Sequence, residues 1–275
     1  MVWWETQLFI LSFAGYFCAG CLYLGNLICL KARLAYRATQ VTAAAFLLTT
    51  AALVIRTIGS GHLPMANMYE FGMTFVWGTV LLYLYLEHRC QSRALGAFVL
   101  PVVFFLTALF AVFYQEGKPL MPALKSGWLT VHVLTAVIAY GALALSFALA
   151  LMYRWRCRLE TDKQAGALQE ILPALETLER LANQAIVFAV PFLTLLILTG
   201  AVWAEYAWGS YWRWDPKETW SLITWCIYAV YLHGRTVLGW RGKQAMNWAI
   251  AGFLAVLFTF VGVNLLLPGL HSYAS

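Results

Sequence analysis

The sequence predicts an all-α fold, a polytopic membrane helix bundle that forms a single domain over residues 1–275. It is 62% hydrophobic and only 11% charged, whereas a typical soluble domain is about 25% charged. Its apolar residues also fall into runs of about 20, the length that crosses the hydrocarbon core of a bilayer. Together these two observations exclude an ordinary soluble protein and favour an integral membrane protein.

About eight of these runs are long enough to be transmembrane helices. They cover residues 7–30, 41–58, 69–87, 95–114, 128–153, 184–203, 219–238 and 246–267. The N-terminal stretch MVWWETQ has no basic residue ahead of the first run, unlike a cleavable signal peptide, so we expect this run to remain as a helix. An even number of crossings places both termini on the same side of the membrane.

The distribution of lysine and arginine predicts the orientation, because these residues are in excess in cytoplasmic loops. With the N-terminus outside, thirteen of the 18 fall on the cytoplasmic side. The other five fall outside: Arg56, Lys118, Lys125, Arg213 and Lys217. Both termini are therefore predicted to lie outside. The net charge of +6 reflects this topology and does not indicate nucleic-acid binding.

One sizeable polar segment, residues 154–183, separates the fifth and sixth runs. Leucine and isoleucine recur there at helical spacing among glutamate and arginine. The pattern predicts an amphipathic helix on the cytoplasmic face, which lipid alone or an inner partner could cover.

The six cysteines are not expected to form a disulfide framework, since none lies in a predicted outer loop. Cys18 and Cys21 make a CxxC inside the first helix. Packing of small residues against neighbouring helices is favoured there over redox chemistry. No CxxCH occurs, so the chain is not itself a c-type cytochrome.

The stretch WAEYAWGSYWRWDPKETWSLITW, residues 203–225, is the most unusual part of the chain, and we call it the tryptophan-rich segment. It holds six of the 13 tryptophans, two tyrosines and charges of both signs. An aromatic belt at a membrane interface accounts for only two or three such residues per helix end. Large flat faces beside mixed charge suit a large, flat, partly charged ligand.

Within this segment, WGSYWRWDPKETW resembles the WWD signature of the cytochrome c maturation haem-handling proteins. SGHLPMANMYEF, GWLTVHVLTAVIAYGA, LHGR and GLHSYA, at residues 60–71, 127–142, 232–235 and 269–274, match the same family. From about residue 56 to the C-terminus the chain is similar to the CcsA/ResC type of the System II cytochrome c synthase. The resemblance implies that residues 203–220 form an external loop that binds haem b. The implied contact residues are Trp208, Gly209, Tyr211, Trp212, Arg213, Trp214, Asp215, Lys217 and Trp220.

Histidines are the candidate iron ligands, because neutral imidazole is a common axial ligand of haem. His132 lies near the outer start of the fifth helix, and His271 follows the eighth. The resemblance implies that both are external axial ligands. His233, further down the seventh helix, matches a transmembrane ligand whose second axial histidine comes from a partner; the alternative is an imidazole at the inner interface. His62 is a weaker candidate, for which a loop-ordering hydrogen bond is equally favoured.

The charged residues near this segment have two expected uses. Arg213, Lys217 and Arg56 could pair with the anionic haem propionates. Asp215 could orient those cations, while the Asp215-Pro216 pair is also typical of a helix start, with Asp215 as the N-cap.

The resemblance implies a haem-ligating subunit of a cytochrome c synthase complex. It would deliver haem across the membrane and, with a CcsB/ResB-type partner, promote its thioether attachment to CxxCH of apocytochrome c. A bacterial cytoplasmic membrane or a thylakoid-type equivalent is the expected location. One alternative is a haem exporter of the CcmC type without ligation activity. A cytochrome b-like electron carrier is disfavoured, since paired histidines about a dozen residues apart within a helix are missing from the sequence.

Overall fold

The computed structural model describes residues 2–120, 124–160 and 166–267, and every regular element in these ranges is helical. The α-helices are α1 (Val2–Cys29), α2 (Ala32–Ser60), α3 (Met68–Cys90), α4 (Gly96–Ala111), α5 (Gly127–Leu159), α6 (Gly166–Ile171), α7 (Leu175–Trp208), α8 (Pro216–Thr236), α9 (Gly242–Leu257) and α10 (Val263–Leu266). A 3-10 turn, Arg93–Leu95, precedes α4, and a π-helix, Phe258–Gly262, joins α9 to α10.

The predicted membrane helix bundle is confirmed at the level of fold class. Six helical stretches are long and apolar enough to cross a membrane: Val2–Cys29, Ala32–Ser60, Arg93–Ala111, Gly127–Leu159, Leu168–Trp208 and Gly242–Leu266. Helices α3 and α8 coincide with two further predicted runs but are not among the six. The count of eight crossings and the side on which the termini lie therefore remain predictions.

Helix α5 is the centre of the bundle. In its apolar window 83% of the residues are buried, against 28% in those of α1, α2 and α7. It packs against α3, α4, α7 and α9. Its small residues allow this close approach: a Cβ placed on Gly141 would lie 3.4 Å from the backbone carbon of Gly78 in α3.

Two buried polar clusters attach the α1–α2 hairpin to α3. At one end Arg56 pairs with Glu5 at 3.1 Å and with Glu70 at 2.9 Å. At the other end Glu87 accepts hydrogen bonds from the hydroxyls of Tyr23, Tyr83 and Thr39. Since ionised groups inside a bundle need partners of this kind, the two clusters fix how the three helices pack.

The prediction of one amphipathic surface helix over residues 154–183 is wrong. Helix α5 continues to Leu159, α6 is a short separate turn, and α7 begins at Leu175 as one 34-residue helix. Leu178 and Leu181 share one face of α7, and that face is buried in the core. Periodicity alone could not distinguish a helix covered by lipid from one covered by protein.

All six cysteines are free, as predicted. The packing role expected for Cys18 and Cys21 is wrong, because both side chains are exposed on the outer surface of α1. The neighbouring Ala19 and Gly20 are buried instead.

Candidate functional site

The tryptophan-rich segment is mostly helical, and only residues 209–215 form a loop. Helix α7 ends at Trp208, where Gly209 adopts the left-handed conformation at φ 70° and donates its N–H to the carbonyl of Glu205 at 2.8 Å. Helix α8 then begins at Pro216. The expected loop over residues 203–220 is therefore shorter, and Trp203 and Trp220 lie on helices.

Asp215 is the N-cap of α8, as the sequence indicated. Its carboxylate accepts the N–H of Lys217 at 3.0 Å. Glu218 completes a capping box by accepting the N–H of Asp215 at 3.2 Å, and it also accepts the N–H of Arg213 at 2.8 Å. The two carboxylates thus hold the loop against the start of α8.

The loop exposes aromatic side chains, and two pairs of tryptophan rings meet in the loop and at the end of α7. Tyr211 and Trp214 are exposed, Trp214 by 68%. Trp214 meets Trp212 edge to face at a centroid distance of 5.6 Å. Deeper in the bundle, Trp203 meets Trp208 at 4.8 Å. Trp214 also has a φ of +57°, an unusual conformation for a bulky residue that costs free energy and is typical of functional loops.

His132 lies on α5 and contacts α7 through both edge and face of its ring. Nδ1 is 2.8 Å from the carbonyl oxygen of Leu196. Because a carbonyl can only accept, the proton is on Nδ1, and in the neutral ring the lone pair is on Nε2. The ring is nearly parallel to Trp203, at 20° and a centroid distance of 6.3 Å. Histidines that bind metal commonly donate the other ring N–H in this way, so the donor set fits an axial ligand.

The basic residues divide into two groups. Arg213 is exposed on the loop and donates to the carbonyl of Trp208. Lys217 is directed towards the last helix, with Nζ 3.2 Å from Oδ1 of Asn264 and 5.8 Å from the ring of Phe260. Arg213 therefore presents its charge at the surface of the loop, whereas Lys217 ties α8 to α10.

Arg56 does not fit the predicted propionate contact. It is only 3% exposed. Its guanidinium pairs with Glu5 and Glu70 and donates to the carbonyl of Gln115 at 2.5 Å. Two carboxylates already compensate its charge, so a further anion would be repelled. The physical role of Arg56 is to hold α1, α2 and α3 together.

Iron ligation by His62 is not supported either. Its Nδ1 is 2.7 Å from the carbonyl of Leu63 and its Nε2 is 2.9 Å from that of Lys118. Both ring nitrogens face carbonyl oxygens, so neither is open towards a metal ion. The geometry agrees with the loop-ordering alternative, in which His62 joins the α2–α3 loop to the α4–α5 connection.

His233 is exposed and lies in the last turn of α8, four residues before Val237. It is 17 positions after Pro216, so it lies about 25 Å from the start of the helix. The structure thus separates His233 from His132 along the bundle. His271 lies outside the described residues.

Sequence reasoning missed two backbone-level features of this region. The first is the carbonyl of Leu196, which has no sequence signature. The second is the π-helix, whose Phe260 carbonyl accepts a hydrogen bond from the side chain of Asn264 in α10 at 2.5 Å. The sequence does carry one signal for this region, at Gly200. A glycine within an apolar helical run often marks a close approach, and here the ring of His132 lies next to it.

The chain is similar to proteins of cytochrome c biogenesis. A family model described as "Cytochrome C assembly protein" matches residues 65–271. Relatives called "Cytochrome c biogenesis protein CcsA" include those of Pyropia yezoensis, 36% identical with 86% of each chain covered, and Guillardia theta, 38% identical over 82% of this chain and 81% of the relative. That of Prochlorococcus marinus strain NATL2A is 38% identical over 86% of this chain and 84% of the relative.

Among solved structures, a "Cytochrome c Heme Lyase CcmF" superposes with a TM-score of 0.67 and 20% sequence identity. The match covers 94% of this chain and 46% of that one. At this identity the likeness concerns the fold: the whole helical bundle described above is found within a larger protein.

Proposed function

Because the chain belongs to the cytochrome c assembly protein family, and within it to the CcsA-type biogenesis proteins with a role in cytochrome c maturation, we propose that it binds haem and presents it for covalent attachment. The haem is the substrate. The proposed external site consists of His132 and His271 as axial ligands and the aromatic surface of residues 208–215, with Arg213 as a propionate partner.

The geometry of His132 is the observation that carries this proposal. A histidine beside the tryptophan-rich segment has its proton on Nδ1, donated to Leu196, and its ring lies against Trp203. An imidazole held in this tautomer is prepared to ligate iron through Nε2. The exposed faces of Tyr211 and Trp214 lie on the same segment and suit a flat macrocycle.

His233 would serve a second haem position in the other half of the bundle. Its exposed position on α8 leaves it accessible to a neighbouring membrane protein. In this proposal a CcsB/ResB-type partner supplies the second axial histidine there. The chain crosses the membrane eight times with both termini outside, and the tryptophan-rich segment faces the compartment in which cytochrome c matures, either periplasmic or thylakoid-type.

The attachment step conserves atoms and electrons. The histidine of CxxCH in apocytochrome c replaces one axial imidazole, and each cysteine S–H adds across a vinyl C=C, forming one C–S and one C–H bond. The contribution of this chain is to hold the reacting groups in position and to set the iron potential through its axial ligands.

Absorption spectra of the purified protein test the proposal. Wild type, His132→Ala, His271→Ala and His233→Ala are compared with and without a co-expressed CcsB-type partner. His88→Ala is the matched control, since His88 is likewise exposed in the last turn of a helix. We expect the outer substitutions to lower bound haem, with recovery in imidazole, and the His233 substitution to lower it when the partner is present. Equal spectra for all variants would contradict the proposal.

A further inference from the structure

At Gly200 the ring of His132 lies so close to α7 that any side chain there would have to displace it. A Cβ placed on Gly200 would lie 2.8 Å from Cε1 and 2.9 Å from Nδ1 of His132. Real Cβ atoms essentially never make contacts this short. Nε2 is farther away, at 3.8 Å. The missing side chain therefore makes room for the Nδ1 edge of the ring.

The neighbours of Gly200 on α7 complete the environment of this ring. Leu196, Gly200 and Trp203 follow one another at intervals of four and three, so they share one face of the helix. Leu196 supplies the carbonyl that accepts the Nδ1 proton at 2.8 Å, and Trp203 supplies the parallel aromatic wall. We call these three residues the α7 contact stripe. They define the height, rotation and tautomer of the His132 ring.

We propose that Gly200 is a positioning residue for iron ligation by His132, an inference that rests on the haem-binding function proposed above. Glycine at this position lets the ring approach α7 until Nδ1 reaches the Leu196 carbonyl. That hydrogen bond fixes the lone pair on Nε2 and increases the basicity of the imidazole. A more basic axial ligand favours ferric iron, so the same contact lowers the haem reduction potential.

Gly200→Ala should therefore weaken haem binding without weakening the helix. Alanine is the better helix former, so intrinsic propensity predicts no loss of folded protein. The added methyl displaces the ring and disrupts its hydrogen bond to Leu196. Loss of such a supporting contact typically costs about 10-fold or more in metal affinity. We expect a loss of that size, recovery of haem in added imidazole, and a higher midpoint potential in the haem that remains.

A double-mutant cycle separates this role from a general packing defect. Haem content and midpoint potential are measured, with and without imidazole, for wild type, Gly200→Ala, His132→Ala and the double variant. Gly59→Ala is the matched control, because a Cβ there meets no atom within 4 Å. If Gly200 acts through the His132 ring, Gly200→Ala has no further effect once that ring is absent. Removing the ring also removes the clash, so the double variant should fold as well as His132→Ala.

The outcomes separate the inference about Gly200 from the proposed haem-binding function. If His132→Ala loses haem but Gly200→Ala binds it with wild-type affinity and potential, the inference about Gly200 is wrong and the proposed function stands. An equal loss caused by Gly200→Ala with and without the His132 ring would overturn the inference as well, since it indicates a packing defect. If His132→Ala itself retains haem with an unchanged spectrum, both claims fail.

Discussion

At the scale of single residues, the tautomer of His132 bears most directly on the proposed binding of iron. An imidazole can bind iron through either nitrogen, and its surroundings decide which one is used. Here the carbonyl of Leu196 takes the Nδ1 proton and the ring is held parallel to Trp203. In this tautomer Nε2 is the nitrogen that would ligate a metal.

Replacing Trp214 by glycine should lower haem binding without lowering the stability of the protein. Its φ of +57° costs about 1–2 kcal/mol for a residue with a side chain, while glycine costs about 0.5–1 kcal/mol in unfolded-state entropy. Trp214→Gly should therefore leave the thermal denaturation midpoint unchanged or slightly higher. Haem content should fall, because an exposed ring of the proposed platform is lost.

Trp214→Asn and Trp214→Phe serve as controls for this prediction. Asparagine tolerates the left-handed conformation and should behave like glycine, whereas phenylalanine keeps an aromatic face and should retain more haem. A drop in the midpoint for Trp214→Gly with unchanged haem content would mean that Trp214 is a packing residue.

Arg56 is a residue whose importance is structural. Removing one partner of a buried ion pair leaves uncompensated charge and costs about 3–5 kcal/mol. We expect Arg56→Ala to lower the free energy of unfolding by that amount, because Glu5 and Glu70 would face each other without a cation. Thermal denaturation in detergent measures the loss.

The matched control for Arg56 is Arg93→Ala. Arg93 is 46% exposed and 4.0 Å from Glu87, and pairs of this kind contribute about 1 kcal/mol or less. The haem spectrum of the Arg56→Ala protein that remains folded should equal that of wild type. A spectrum that changes while the protein stays equally stable would restore Arg56 as a haem contact.

At the scale of elements, the π-helix connects the last helix to the tryptophan-rich segment. Its Thr259 hydroxyl is 2.8 Å from that of Thr224 in α8, and Phe258 packs against Trp220 at 4.3 Å. One turn later Asn264 bonds both Phe260 and Lys217. A π-helix changes the angular register of all residues after it. These contacts therefore fix the register of α10 against the start of α8.

Asn264→Ala tests this connection. It removes one acceptor from Lys217 and the donor to the Phe260 carbonyl from a buried position, which should cost about 1–3 kcal/mol of stability. Asn264→Asp is the comparison: it keeps an acceptor for Lys217 and adds an opposite charge, so we expect a smaller loss. Equal midpoints for wild type and Asn264→Ala would show that the π-helix does not depend on this side chain.

The limits of sequence reasoning are clearest at this scale. Long apolar runs predicted the helices well, because hydrophobic length directly reports the bilayer. Ion pairs between residues far apart in the sequence cannot be predicted in this way: Arg56 pairs with Glu5 and Glu70, which are 51 and 14 positions away. From the sequence alone, Arg56 is therefore a candidate partner of the haem propionates. The Asp215 cap was predicted, since capping depends on adjacent residues, but the carbonyl partner of His132 was not.

At the scale of the whole molecule, the proposed eight crossings depend on helices α3 and α8. Helices α3 and α8 carry buried polar and aromatic residues and are less apolar than the six clear candidates. In a bundle this is compatible with crossing, because neighbouring helices cover much of their surface.

Cysteine labelling with a membrane-impermeant maleimide tests the eight-crossing topology. In a background without the six native cysteines, single cysteines replace Ser60 and Gln91, on either side of α3, and Ser210 and Gly239, on either side of α8. We expect Ser60→Cys and Ser210→Cys to react from outside, and the other two only after permeabilisation. Reaction of both members of a pair from the same side would mean that the intervening helix does not cross.

The proposed function depends above all on ligation by His132 of the iron of haem bound beside the tryptophan-rich segment. Electron paramagnetic resonance of the oxidised protein tests it most directly, because axial ligation determines the spin state of ferric haem. We expect a low-spin signal for wild type, a high-spin signal for His132→Ala, and a return to low spin when imidazole is added. A low-spin signal in His132→Ala identical to that of wild type would contradict it.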